Sequence, residues 1–97
     1  MKSVILIHPF QVSKEQEQNF IQSWKEVDEY MQRQDGFIET KLHRALDITP
    51  LKPFSFVNIA KWENTELFRK AISSDHFKAL AKNVLVFSCG AGLYQSM

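Results

Sequence analysis

The spacing of apolar and polar residues along the chain predicts alternating strands and helices. "MKSVILIHPFQV" contains four consecutive apolar residues, Val4 to Ile7, as is typical of a strand buried on both faces. Ser13 followed by Gln16 is a capping-box pattern, which predicts that a helix begins there. One face of this helix carries Phe20, Trp24, Val27 and Met31. Gly36 is placed to end the helix.

The middle of the chain predicts two further strands. "FIETKLHRAL" alternates between two sets of side chains, which predicts a strand. One set is Ile38, Thr40 and Leu42, and the other is Phe37, Glu39, Lys41 and His43. "DITPLKP" contains two prolines and predicts a turn, and "FSFVNIAKW" after it predicts a second apolar strand.

The last third predicts two helical segments and a final strand. Asn64 is placed to cap a helix whose inner side carries Leu67, Phe68, Ala71 and Ile72. "SSD" restarts a short helical segment, with Phe77, Leu80 and Ala81 facing inward. "NVLVFSCGAGLYQSM" then predicts a loop and a last strand, with Gly90 and Gly92 in a turn or bulge before that strand.

The resulting order, β-α-β-β-α-β, predicts an α+β, ferredoxin-like fold for one domain over residues 1–97. Its sheet has four antiparallel strands, with the helices on one face and strand one central, beside strand three. Strand one is apolar on both sides, so the face without helices would expose an apolar patch, which soluble monomers rarely do. We therefore expect a homodimer whose sheets pack together through that face.

Composition narrows the possible partners and the cellular location. The formal net charge is +1, which gives no reason to expect binding to nucleic acid or to a membrane surface. The apolar runs "VILI" and "VLVF" are too short to cross a bilayer, and we see no signal peptide. The one cysteine, Cys89, cannot form an internal disulfide or a zinc-binding thiolate cluster. These observations favour a cytoplasmic protein.

Several motifs resemble those of the antibiotic biosynthesis monooxygenase family, whose members are small dimeric α+β barrel proteins. These motifs are "QDGF" at the exit of the first helix, "KLHR" in the second strand, and "WENTELF" with "SSDHF" after it. The resemblance covers roughly residues 4–82. It implies an oxygenase that needs no cofactor, neither flavin nor metal, and that oxidises a phenol, a quinol or a related aromatic polyketide with O2. Such a protein supplies a dry apolar cavity, a base and hydrogen-bond donors for the substrate anion.

One branch of the family degrades haem, and the resemblance to that branch is partial. Its site combines an asparagine on strand one, a tryptophan at the end of strand three and a histidine on the second helix. Trp62 matches the tryptophan, but His8 and Ala81 occupy the other two positions. Without a histidine to ligate iron, haem degradation is the weaker alternative.

The polar candidates for a site are two histidines and one asparagine. His8 and His43 lie on predicted strands, and a neutral imidazole is a suitable base for a phenolic proton. Either one is predicted as the catalytic base, and the alternative for each is a histidine hydrogen-bonded to a neighbouring backbone group. The sequence leaves open which face His43 occupies. Asn58 lies in the middle of an apolar strand, where an amide is costly unless it is hydrogen-bonded. We expect it to bind a substrate oxygen, and the alternative is a hydrogen bond to a helix end or a loop.

The aromatic candidates are proposed to hold the substrate ring. The helical spacing of Phe20, Trp24, Phe68 and Phe77 nevertheless indicates core packing first and cavity lining second. Trp62 is either one wall of a pocket or a large side chain that fills the corner between strand and helix. The other predicted substrate-binding residues are Phe56, Phe20, Trp24, Phe68 and Phe77. A rival hypothesis keeps the fold and the dimer but has no catalysis: a small-molecule-binding or purely structural dimer, which a sealed core would favour.

Overall fold

The computed structural model describes residues 3–46 and 54–97, and its elements follow the predicted order. They are β1 (Val4–Phe10), a 3-10 turn (Lys14–Gln16), α1 (Glu17–Gln32), β2 (Phe37–Arg44), β3 (Phe56–Trp62), α2 (Thr65–Ile72), α3 (Asp75–Leu85) and β4 (Gly92–Tyr94). The predicted turn "DITPLKP" lies outside the described residues.

The four strands form an antiparallel sheet in the order β2-β3-β1-β4. This order confirms the ferredoxin-like α+β fold and the prediction that strand one lies beside strand three. Val4 pairs with Trp62 at one end of the two central strands, and Phe10 pairs with Phe56 at the other. Because side chains alternate along a strand, this register decides which residues face the helices.

The core lies between the sheet and the helices, in two adjoining clusters. One cluster is built from Val4, Leu6, Met31, Ala60, Trp62, Phe68 and Ala71. The other is built from Phe10, Val12, Phe20, Phe56 and Val84. Trp62, Phe10 and Phe20 are the largest side chains with less than 2% of their surface exposed. Burial of these apolar faces holds the helices against one side of the sheet.

The start of α1 differs from the prediction, because the expected capping box does not form. The Ser13 side chain caps no backbone N–H, and the Gln16 N–H instead donates to the Ser13 carbonyl at 3.0 Å. This backbone bond satisfies the donor that the serine hydroxyl was expected to cap. The chain therefore makes one 3-10 turn before α1 begins at Glu17.

The two later helices begin at side-chain caps. Asn64 Oδ1 accepts a hydrogen bond from the Leu67 N–H at 2.8 Å, as predicted. Ser74 Oγ accepts one from the Phe77 N–H at 3.0 Å, which begins α3. The prediction of a short segment was wrong, since α3 continues to Leu85. Val84 is buried three positions after Ala81, so the apolar stripe extends through residues predicted as loop.

A β-bulge in β2 changes the face on which its first residue lies. Phe37 pairs with Trp62, whereas Glu39 pairs with Lys61, so Ile38 is the extra residue. The bulge turns Phe37 toward the helices, where its ring meets the Trp62 ring edge-on with centroids 5.5 Å apart. The predicted shared face of Phe37 with Glu39 and His43 was therefore wrong.

Glycine is required at two turns. Gly36 has φ +91°, and an added Cβ would lie 2.6 Å from Leu67 Cβ, so only glycine is compatible with this helix exit. Gly90 has φ +98° and lies in the turn predicted before the last strand. Gly92, predicted in the same turn, lies within β4 instead.

Candidate active site

A cavity of about 230 Å³ lies between the sheet and the helices. An engineered apolar cavity of about 150 Å³ is enough to bind benzene, so this one has room for an aromatic ring with substituents. Most of its lining is apolar, and its polar members are His8, Asp28, Thr40 and Asn58. Leu85 and Ala91 also line it and are exposed to solvent, which places its mouth beside the end of α3.

The sheet supplies the polar floor of the cavity. His8 on β1 and Asn58 on β3 are direct cross-strand partners, so their side chains project from the same face as neighbours. Thr40 on β2 pairs with Ala60 and lies on that face too. Three polar side chains from three strands thus meet under the helices.

Asn58 is half-buried and has one hydrogen bond that fixes its orientation. Thr40 Oγ1 donates to Asn58 Oδ1 at 2.9 Å. With Oδ1 engaged in this way, the amide nitrogen has no hydrogen-bond partner among the described residues and remains a donor at the cavity wall.

His8 is held by a serine from the loop between α3 and β4. Its Nε2 lies 2.7 Å from Ser88 Oγ, which also accepts a hydrogen bond from the Gly90 N–H at 3.0 Å. The ring stacks on Phe10 with centroids 4.2 Å apart. Burial lowers the pKa of His8 from its ordinary value of 6.5, because desolvation disfavours the charged imidazolium. Burial therefore favours the uncharged imidazole.

Trp62 both lines the pocket and fills the corner between strand and helix, which are the two alternatives that the sequence left open. Only 1% of its surface is exposed, and its ring meets Phe68 edge-on with centroids 5.5 Å apart, so it fills the corner between β3 and α2. It also lines the cavity. The side chain is thus a core residue whose inner surface forms part of the wall.

The structure brings most of the predicted site residues together, but not all of them. Those that line the cavity are His8, Asn58, Trp62, Trp24, Phe68 and Phe77. Phe20 and Phe56 do not: they pack against each other in the core, with ring centroids 5.1 Å apart. His43 pairs with Val57 and is exposed on the face without helices. The two histidines predicted as bases therefore do not share a site.

Sequence reasoning missed Asp28, the one carboxylate that lines the cavity among the described residues. Its Oδ2 accepts a hydrogen bond from Gln32 Nε2 at 2.7 Å, while its Oδ1 is buried and has no partner among the described residues. Burial raises the pKa of Asp28, opposed by the Gln32 bond and assisted by the nearby Glu29 charge. The signal was in the pattern, since Asp28 follows Trp24 by four and precedes Met31 by three, on the inner stripe of α1.

No group of three or more His, Cys, Asp or Glu side chains within residues 3–46 and 54–97 is arranged to hold a metal ion. In the same part of the chain, no helix combines the length and apolar character needed to span a membrane.

Comparison with known proteins identifies the class. The family model for antibiotic biosynthesis monooxygenase matches residues 3–83, and the chain therefore belongs to this family. Among solved structures it resembles SnoaB, a cofactor-independent oxygenase from Streptomyces nogalater. The two are 26% identical, the match covers 100% of this chain and 95% of that one, and the TM-score is 0.85.

More distant structures support the fold alone. A conserved protein from Methanosarcina mazei Go1 is 20% identical with a TM-score of 0.83, over 100% of this chain and 95% of that one. A proposed monooxygenase from Shewanella loihica PV-4 is 24% identical with a TM-score of 0.77, over 99% and 95%. The comparison with curated proteins finds no match.

Proposed function

We propose that this protein is a cofactor-independent monooxygenase that oxidises a phenolic or quinol-like aromatic substrate with O2. The observation that carries the proposal is the aromatic-lined cavity in which His8 and Asn58 stand side by side. Membership of the monooxygenase family and the likeness to SnoaB support the same reaction class.

The proposed reaction requires few functional groups from the protein. Once a quinol loses a proton, its electron-rich anion can itself reduce O2, so the substrate supplies all the electrons. For hydroquinone the balanced reaction is hydroquinone plus O2 giving hydroxyquinone plus water: one oxygen atom enters the ring and the other leaves as water. The protein binds the ring, accepts the proton, stabilises the anion and excludes bulk water.

His8 is the proposed base. If its Nε2–H donates to Ser88 Oγ, then Nδ1 keeps the lone pair that accepts a phenolic proton. The lowered pKa favours this neutral form at physiological pH. Ser88 would thereby fix the tautomer of the base without touching the substrate.

Asn58 and the aromatic residues are the proposed binding groups. The amide nitrogen of Asn58, adjacent to His8, would donate a hydrogen bond to the phenolate oxygen as charge develops there. Trp62, Trp24, Phe68 and Phe77 would enclose the ring, and their apolar surfaces keep the local dielectric low.

The two alternatives have less support. For haem degradation, the position that the resemblance assigns to the iron ligand is Ala81, a side chain that cannot ligate iron and that lines the cavity. A sealed core would have favoured a purely structural dimer, whereas the cavity has room for an aromatic ring. Binding without catalysis remains the rival, and a measurement of oxygen uptake distinguishes it from monooxygenation.

The direct test is oxygen uptake by the purified, dialysed protein with a panel of hydroquinones and polyphenols and no added cofactor. A boiled sample corrects for autoxidation. We expect uptake above that control which saturates with substrate. Saturable binding of the same compounds without uptake would replace the oxygenase with the binding protein.

We also propose a homodimer formed through the sheet face without helices. This face carries Ile5, Ile7, Val57 and Ile59, and 39% of Ile59 is exposed in the single chain. A second copy of the same face, related by two-fold symmetry, would cover these side chains. Sedimentation equilibrium tests the proposal, and a monomer at all concentrations would contradict it.

A further inference from the structure

The unpartnered carboxylate oxygen of Asp28 is a feature that the proposed reaction does not use. Oδ1 is buried, and among the described residues nothing donates a hydrogen bond to it, although Oδ2 of the same group is bonded to Gln32. A buried polar atom left unsatisfied is energetically costly, so such atoms in native proteins usually have a specific role. Asp28 lines the cavity, and a donor on a bound molecule would relieve this cost.

The position of Asp28 separates it from the other polar groups of the cavity. His8, Thr40 and Asn58 all project from the sheet, whereas Asp28 projects from α1, which covers the sheet. The cavity thus has polar groups on two walls, and aromatic side chains also line it. A ligand that satisfies both walls needs two polar substituents on one aromatic body.

The two walls also differ in hydrogen-bonding character. Asn58 presents an amide donor, and an ionised Asp28 presents only an acceptor. From this arrangement we propose that Asp28 is a specificity-determining residue, which accepts a hydrogen bond from a second hydroxyl group of the substrate. The substrate class is therefore a dihydroxylated aromatic compound rather than a simple phenol. This inference rests on the proposed function.

The test compares two ligands of nearly the same shape, hydroquinone and 4-methylphenol, under anaerobic conditions so that binding is separated from turnover. Both tryptophans of the chain, Trp24 and Trp62, line the cavity. Quenching of their fluorescence, corrected for absorption by the ligand, therefore reports occupancy. A hydrogen bond to a charged group contributes about 1.5–3 kcal/mol, so hydroquinone should bind the wild-type protein roughly tenfold or more tightly than 4-methylphenol.

Replacing Asp28 should remove that preference. In Asp28→Leu the apolar stripe of α1 becomes continuous, and we expect 4-methylphenol to bind as well as hydroquinone or better. Asp28→Asn keeps the shape of the side chain and serves if the leucine variant does not fold. Its amide oxygen can accept from Gln32, which leaves an NH2 donor toward the ligand, so the preference should fall here as well. Glu29→Gln removes a neighbouring exposed carboxylate and should behave as wild type.

The outcomes separate the two proposals. If wild-type protein and both Asp28 variants bind the two ligands with the same affinity ratio, the role of Asp28 is wrong and the aromatic cavity stands. If Glu29→Gln loses the preference as fully as the Asp28 variants do, the general charge of α1 is responsible and the role of Asp28 is again wrong. If wild-type protein binds neither hydroquinone nor 4-methylphenol, the proposed function fails and this inference fails with it.

Discussion

The two faces of the sheet are built from the same strands but differ in burial and in the groups they present. The covered face combines His8, Asn58 and Trp62 in a cavity under the helices. The other face carries His43 on an exposed surface, among charged side chains of β2 and the apolar side chains of the central strands. Both histidines lie on strands. His8 is held by Ser88 and burial lowers its pKa, whereas His43 is exposed to solvent. The face a residue occupies, rather than its type, decides what it can do.

The largest expected difference between the two faces is in how much a substitution on each lowers the stability of the protein. Trp62→Ala should lower the free energy of unfolding by about 3–5 kcal/mol, because it removes a buried indole from the main core cluster. Lys61→Ala, one residue earlier and on the other face, should cost about 1 kcal/mol or less. Urea denaturation measures both. Equal losses would mean that Trp62 is not the core residue described here.

The next comparison is between the two histidines. His8→Ala should lower turnover by about a hundredfold or more, as expected for the loss of a general base, while His43→Ala should leave it unchanged. His76→Ala, an exposed histidine on α3, is the matched control. A large loss in His43→Ala with normal turnover in His8→Ala would contradict the proposal, because it would place the chemistry on the face without helices.

The pH profile of oxygen uptake by the wild-type protein tests the same assignment. A base works only when deprotonated, and the pKa of His8 is lowered from 6.5. The kcat/KM for oxygen uptake should therefore decline as the pH falls through a midpoint below 6.5, and His8→Ala should lose this acid limb. Steady-state oxygen uptake across the pH range measures the midpoint, and a midpoint above 6.5 would contradict the assignment.

A charged side chain on the face without helices should disrupt the proposed dimer, because dimerisation would bury that charge. Ile59→Lys should shift the protein from dimer to monomer in sedimentation equilibrium, because it places a charge in the centre of an apolar interface. Val86→Lys alters a side chain that is 74% exposed at the end of α3, and this control should remain dimeric. Equal behaviour of the two variants would rule out the sheet face as the interface.

The smallest expected effect concerns Asp28. Its pKa is raised in the folded state, so the folded protein holds that proton more tightly than the unfolded chain does. The stabilising contribution is complete below the unfolded pKa and is lost as the pH rises through the folded pKa. Asp28→Asn should therefore be more favourable to stability at pH 7 than at pH 3, and solvent screening of this partly exposed group keeps the difference small. Urea titrations at both values measure this, and a difference independent of pH would be inconsistent with it.

Much of the fold could be predicted because local pattern and global structure agree. The four apolar residues that open β1 identify a central strand, and alternation along β3 places Asn58 and Trp62 on one face. The face of Phe37 was mispredicted because the bulge at Ile38 carries no glycine or proline to mark it. The contact between His8 and Ser88 spans 80 residues and has no local signature. Asp28 was visible as a polar residue in an apolar stripe, but a carboxylate on a helix is more often solvent-exposed.

The most direct test of monooxygenation is the fate of the oxygen atoms. Wild-type protein, freed of metal and flavin, would be supplied with 18O2 and hydroquinone, and the product would be reduced on quenching so that label is not lost to water. We predict one labelled oxygen atom in each product molecule and one O2 consumed per product, without hydrogen peroxide. Unlabelled product with one hydrogen peroxide formed per O2 would contradict monooxygenation and leave the cavity as the site of a simple oxidation.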